Sequence, residues 1–216
     1  MKIIIQSIVL SALILSGTNC KTFAGSPNND YLQKNFQCIS GPASSELNQK
    51  YLKNYELYRS MAFHSEPAGE VFAVITGDSI AHLFLPERLG KYIPGIQVIN
   101  RGIGGDTTAL FLKRLEKDVL SLKPKAVILS IGGNDTLGGR CISKTLSNTA
   151  EILDKITSEL PDTQVFVISV PPVNLRHINS IIPFYNRKLE YLTKKYKRVS
   201  FMDLWPYLSR DEIPFL

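Results

Sequence analysis

Three short glycine-punctuated stretches hold the residues that could do chemistry together: Gly77-Asp78-Ser79, Gly102-Ile103-Gly104-Gly105-Asp106-Thr107-Thr108 and Gly132-Gly133-Asn134-Asp135. They offer a serine hydroxyl, backbone N–H groups in glycine turns and one carboxamide. A hydroxyl can attack a carbonyl carbon, and N–H donors can hold the oxyanion that forms. Each stretch alone also has a plainer reading. Ser79 could cap the helix that opens at Ile80-Ala81, Asp106 could cap the helix carrying Leu112, and Asn134 could stabilise its own loop as an Asx-turn. The chemical reading puts the Ser79 hydroxyl at the C-terminal end of a strand. Its own N–H, the Gly105 N–H and the Asn134 amide would then be the donors. Three such blocks, in order and after successive strands, favour that reading over three unrelated turns.

Several other motifs are excluded. The Gly-x-Ser-x-Gly elbow fails because Ala81 takes its final position. A dinucleotide fingerprint fails because Thr107 stands where its third glycine belongs, and no phosphate loop with Gly-Lys-Ser/Thr exists. A general base is missing from view. None of His64, His82 and His177 has an aspartate three residues before it. His82 follows Ser79 by three residues on the same predicted helix. His177 lies in the 170–180 loop, which should border the same crevice, but Asn174 precedes it and cannot support an imidazolium as a carboxylate does. The catalytic base is therefore left unassigned. Arg140 and Arg176 read as solvated loop residues rather than as a lining for an anionic substrate.

The elements that would position these groups follow from hydrophobic patterning. Near-continuous apolar runs mark strands at 71–76, 96–100, 126–130, 164–170 and 199–202, the pattern of strands buried on both faces. Between them run helical stripes: Leu112, Leu115 and Val119; Ile152, Ile156 and Leu160; and Ile182, Tyr185, Leu189, Leu192 and Tyr196. A further helix is predicted over about 45–61, from Leu52, Tyr55, Tyr58 and Met61. Strands alternating with helices of these lengths predict a three-layer α/β/α domain with a parallel sheet of about five strands. In such a sheet the strand ends share one crevice.

Ser79, Gly105 and Asn134 in these surroundings resemble the first three motif blocks of the SGNH, or GDSL-type, esterase and lipase superfamily, and Gly-Ile-Gly-Gly-Asp-Thr-Thr is similar to forms in its acetylhydrolase-like branches. The likeness runs from about Val71 onward. It implies a flavodoxin-like fold, no cofactor and no metal. It makes Ser79 the nucleophile, with the Ser79 and Gly105 N–H groups and the Asn134 side chain as the oxyanion hole. The family's Asp-x-x-His block after the last strand does not occur in the sequence, which stops at Ile213-Pro214-Phe215-Leu216. The chain thus reads as C-terminally incomplete, without its final helix, and little or no turnover is expected of it. A non-catalytic carbohydrate- or lipid-binding module on the same scaffold is the alternative.

The chain has 216 residues, 44% of them hydrophobic, enough for one domain with a real core. The net charge of +6 is scattered apart from Lys194, Lys195, Lys197 and Arg198, which argues against a nucleic-acid footprint. Lys2 and the apolar run from Ile3 to Leu15 read as a secretory signal over 1–20, with Cys20 a lipidation candidate that could attach the protein to a membrane. Residues 21–45 read as an arm or tether and 46–216 as the hydrolase domain. Cys38 and Cys141 could pair in an oxidising compartment. With nothing in sequence to fix their separation, they are read here as independent. The partner expected is a small-molecule, lipid or carbohydrate ester, and oligomeric state is not legible.

Overall fold

The computed structural model describes residues 38–41, 52, 53, 57, 69–84, 94–173 and 175–208. Five strands form the centre: β1 (Ala73–Gly77), β2 (Val98–Gly102), β3 (Ala126–Ser130), β4 (Gln164–Ile168) and β5 (Val199–Met202). They are all parallel, in the order β2-β1-β3-β4-β5. β1 and β3 are buried at every position, as their unbroken apolar runs require. The predicted strands all form; the third and fifth keep their predicted bounds, and edges of the other three move by one to two residues. The fourth ends at Ile168 because the Val170 backbone turns to a side chain instead: its N–H donates to Asn186 Oδ1 and its carbonyl accepts from Asn186 Nδ2.

Connecting helices are α1 (Ser79–His82), α2 (Thr108–Asp118), α3 (Gly133–Leu137), α4 (Ile142–Glu159), α5 (Arg176–Asn179), α6 (Ile182–Thr193) and α7 (Trp205–Leu208). The side-chain alternation of the strands divides the core between two faces. Val74, Val127, Leu129, Val165 and Val167 meet Phe111 and Leu115 of α2, Ile152, Leu153 and Ile156 of α4, and Tyr185 and Leu189 of α6. Ala73, Ile75, Ala126, Ile128, Phe166 and Ile168 point the other way, towards Ala81, Met202 and Leu204. The helical stripes read from sequence are thus the packing surfaces of α2, α4 and α6.

The strand order creates the crevice. From β1 the chain crosses to one side to make β2 and later returns to the other side to make β3, so the connections leaving β1 and β3 part from each other. Such a switch point opens a gap at the carboxyl ends of the strands. Register brings those ends level: Gly77 pairs with Gly102 on one side and with Ser130 on the other.

One expectation is corrected. Cys38 and Cys141 are not independent; they form a disulfide, with Cα atoms 4.8 Å apart. The strap 38–41 lies along the loop before α4, where Ile39 N–H donates to Gly139 O and Cys141 N–H to Ile39 O, each at 2.9 Å. The signal at 1–20, Cys20, the rest of the arm and most of the predicted 45–61 helix lie outside the described residues. Among the described residues no helix is long and apolar enough to cross a membrane.

Candidate active site

Level strand ends put the three glycine blocks beside one another. A Cβ built on Gly104 would stand 4.0 Å from the Ser79 Cβ, and one built on Gly133 would stand 3.4 Å from Asp78 Oδ2. The first block therefore touches both of the others. The glycines that open the first and third blocks are required by space. A side chain at Gly77 would collide with the Ser130 carbonyl, and one at Gly132 with the Tyr185 hydroxyl; both residues also have φ above +100°.

Ser79 is the first residue of α1 and is exposed. It is not the helix cap. That part belongs to Asp78, whose Oδ1 accepts from Ile80 N–H at 3.0 Å. The Ser79 hydroxyl is thus not spent on capping, and the plainer reading of this residue is set aside. Asp78 itself is buried, which pushes its carboxyl up to about 7. The bond from Ile80 opposes that shift, and the charges of Asp106 and Asp135 add to it.

The second block makes a tight turn in which Asp106 N–H donates to Ile103 O at 3.1 Å. Gly105, at φ +81°, supplies the conformation that the third residue of a type II turn needs. The expected Asp106 cap is also corrected: Thr107 caps α2, accepting from Leu110 N–H. Asp106 is buried against Arg114, which sequence reading had missed. Arg114 Nε and Nη2 lie 2.9 and 2.7 Å from Asp106 Oδ2, and Nη1 reaches Asp118 Oδ2. The remaining donors go to Arg101 O and Gly77 O, so one guanidinium ties the ends of β1 and β2 to this turn.

Asn134 stands in the first turn of α3, half-buried. Its Nδ2 donates 2.9 Å to Asp106 O, a residue 28 positions away in sequence, so the amide is a bridge between blocks rather than an Asx-turn. One amide hydrogen is used in this bond; the geometry leaves the second for another acceptor. Arg140 is corrected as well. It is buried rather than solvated, with Nε 3.3 Å from Asp135 Oδ1. Arg176 is exposed on α5. Of the histidines, His82 has Nδ1 3.1 Å from Gly102 O, His177 is exposed on α5, and His64 lies outside the described residues. Among the described residues no group of His, Cys, Asp and Glu could hold a metal ion.

Comparison with known proteins gives the same fold. Esterase TesA of Pseudomonas aeruginosa is 33% identical over 88 residues, and an arylesterase of Vibrio mimicus is 32% identical over 88 residues. Each match covers 41% of this chain and 44% of the relative, less than half of the curated proteins' length. A GDSL-like lipase from Bacteroides thetaiotaomicron superposes with a TM-score of 0.61 at 22% identity, over 74% of this chain and 82% of that one. An acetylxylan esterase from Geobacillus stearothermophilus gives 0.54 at 19% identity, over 63% and 77%. The sequence profile of the GDSL-like lipase/acylhydrolase family matches residues 73–216, two-thirds of the chain, and the protein belongs to that family, within the SGNH hydrolase superfamily.

Proposed function

We propose that this protein is an exported serine ester hydrolase in which Ser79 attacks an acyl carbonyl. In this reading the Ser79 N–H, the Gly105 N–H and the second Asn134 amide hydrogen hold the tetrahedral oxyanion, and water then releases the acyl group. The observation that carries it is the meeting of an exposed, non-capping serine with the Gly104-Gly105 turn and the Asn134 block at the switch point of the sheet. The serine proton must leave as the new C–O bond forms. The family's acceptor is the histidine of an Asp-x-x-His block, and none of the described histidines is given that part. Export is supported by the apolar run from Ile3 to Leu15 behind Lys2 and by a disulfide, a bond at home in oxidising compartments. Attachment through an acylated Cys20 belongs to the same proposal.

The test is hydrolysis of an aryl acetate together with labelling by a fluorophosphonate, made on a version of the protein that carries the family's Asp-x-x-His block after the last strand. Ser79→Ala should abolish both. Asn134→Ala should lower turnover by about 10²–10³ while substrate affinity changes little. Full labelling of the Ser79→Ala protein would eliminate the assignment. Tight binding of an acylated sugar or lipid with no Ser79-dependent hydrolysis would favour the binding-module reading.

A further inference from the structure

Behind the Asn134 turn lies a set of buried groups that ester hydrolysis does not call upon. Asp135, fully buried, accepts from Thr108 N–H at 2.9 Å and from Thr108 Oγ1 at 2.6 Å. Asn148 Nδ2 donates to the same Thr108 hydroxyl. Arg140 pairs with Asp135 through its side chain, and its backbone N–H donates to Asp135 O at 2.9 Å, closing the turn that Asn134 opens. On its outer side Arg140 is flanked by the two backbone bonds of Ile39 and then by the Cys38–Cys141 bridge. A covalent bond therefore ends one residue from the arginine that holds Asp135, the neighbour of Asn134.

We propose that the Cys38–Cys141 bridge braces the Asn134 turn, so that the thiol–disulfide state of this pair governs where the Asn134 amide is held. Only the catalytic meaning of that amide rests on the hydrolase reading; the brace itself does not. α3 has five residues, too few to hold its own shape. Its position must come from contacts to other segments: Asn134 to Asp106 O, Asp135 to Thr108, and the Asp135–Arg140 pair that leads to the bridge. Cys38 is exposed, so a dithiol can reach it. Reduction breaks the S–S bond, places one hydrogen on each cysteine sulfur and closes the dithiol into its own disulfide. The strap 38–41 then keeps only its backbone hydrogen bonds. As it lifts, water reaches Arg140 and weakens the ion pair that anchors Asp135.

The experiment is nuclear magnetic resonance of the uniformly ¹⁵N-labelled protein, oxidised and in dithiothreitol, with Cys38→Ser alongside. The Asn134 Nδ2 protons and the Thr108 amide should change position on reduction, and the bonded Asn134 proton should exchange with solvent at least tenfold faster. Val74 and Val127, in the centre of the sheet, should keep their positions, which a general loss of structure would not allow. Reoxidation should restore the native spectrum in the unaltered protein and not in Cys38→Ser. Should that variant fail to fold, reduction of the folded parent gives the same readout. Asn134 signals that stay in place on full reduction would overturn the brace. Shifted signals with hydrolysis that survives Ser79→Ala would leave the brace standing and remove the hydrolase reading; fixed signals with Ser79-dependent hydrolysis would do the reverse.

Discussion

Asp78 stands one residue before Ser79 and is buried with a carboxyl pushed up to about 7 from 3.8, burial being the main cause. Between about pH 4 and 7 the folded protein keeps a proton there that the unfolded chain gives up. Stability from this group therefore falls as pH rises through that window and levels off above it. Asp78→Asn keeps an acceptor for the Ile80 N–H and removes the ionisation. The variant should match the parent near pH 4 and exceed it at pH 8 by roughly 1–4 kcal/mol. Urea unfolding at the two pH values measures this, and an unchanged pH slope in the variant would show that another group titrates. The residue types at the site were legible in sequence, but their division of labour was not. Asp and Ser are both good helix caps, so adjacency alone could not tell that Asp78 caps and leaves the Ser79 hydroxyl outside.

Strands and helices were legible because their burial is periodic. The runs that became β1 and β3 are apolar on both faces, and the stripes on α2, α4 and α6 are where those helices meet the sheet. What periodicity could not reveal is how α2 is tied to the strand ends. Arg114 falls outside the apolar stripe of Leu112, Leu115 and Val119, and two of its partners, Gly77 O and Arg101 O, are backbone carbonyls with no signature of their own. The arginine is 3% exposed and Asp106 is fully buried, so removing one partner strands the other's charge. Arg114→Met should lower stability by about 3–5 kcal/mol. It should also loosen the Asp106 carbonyl that Asn134 grips, and so, in a version that carries the Asp-x-x-His block, slow hydrolysis beyond the loss of folded protein. Calorimetry with turnover per folded molecule separates the two effects. A loss under about 1 kcal/mol would mean that Asp106 reaches water.

At the scale of the whole molecule, the parallel sheet and its switch point follow from strand–helix alternation, whereas the closure of the chain by Cys38 and Cys141 does not. Three cysteines in a sequence carry no measure of distance, and 103 residues separate the two that pair. That separation makes the bond matter for the unfolded chain, since joining ends so far apart removes much of its freedom. The chain-entropy account gives a contribution of about 4–5 kcal/mol for a loop of this size. Cys38→Ser should therefore lower the free energy of unfolding in urea by that order, and dithiothreitol should lower that of the parent equally while leaving the variant unmoved. If the difference falls below about 1 kcal/mol, the unfolded chain already keeps the strap near the loop before α4. The bridge would then act on the native state alone, by holding the turn that carries Asn134 rather than by holding the fold.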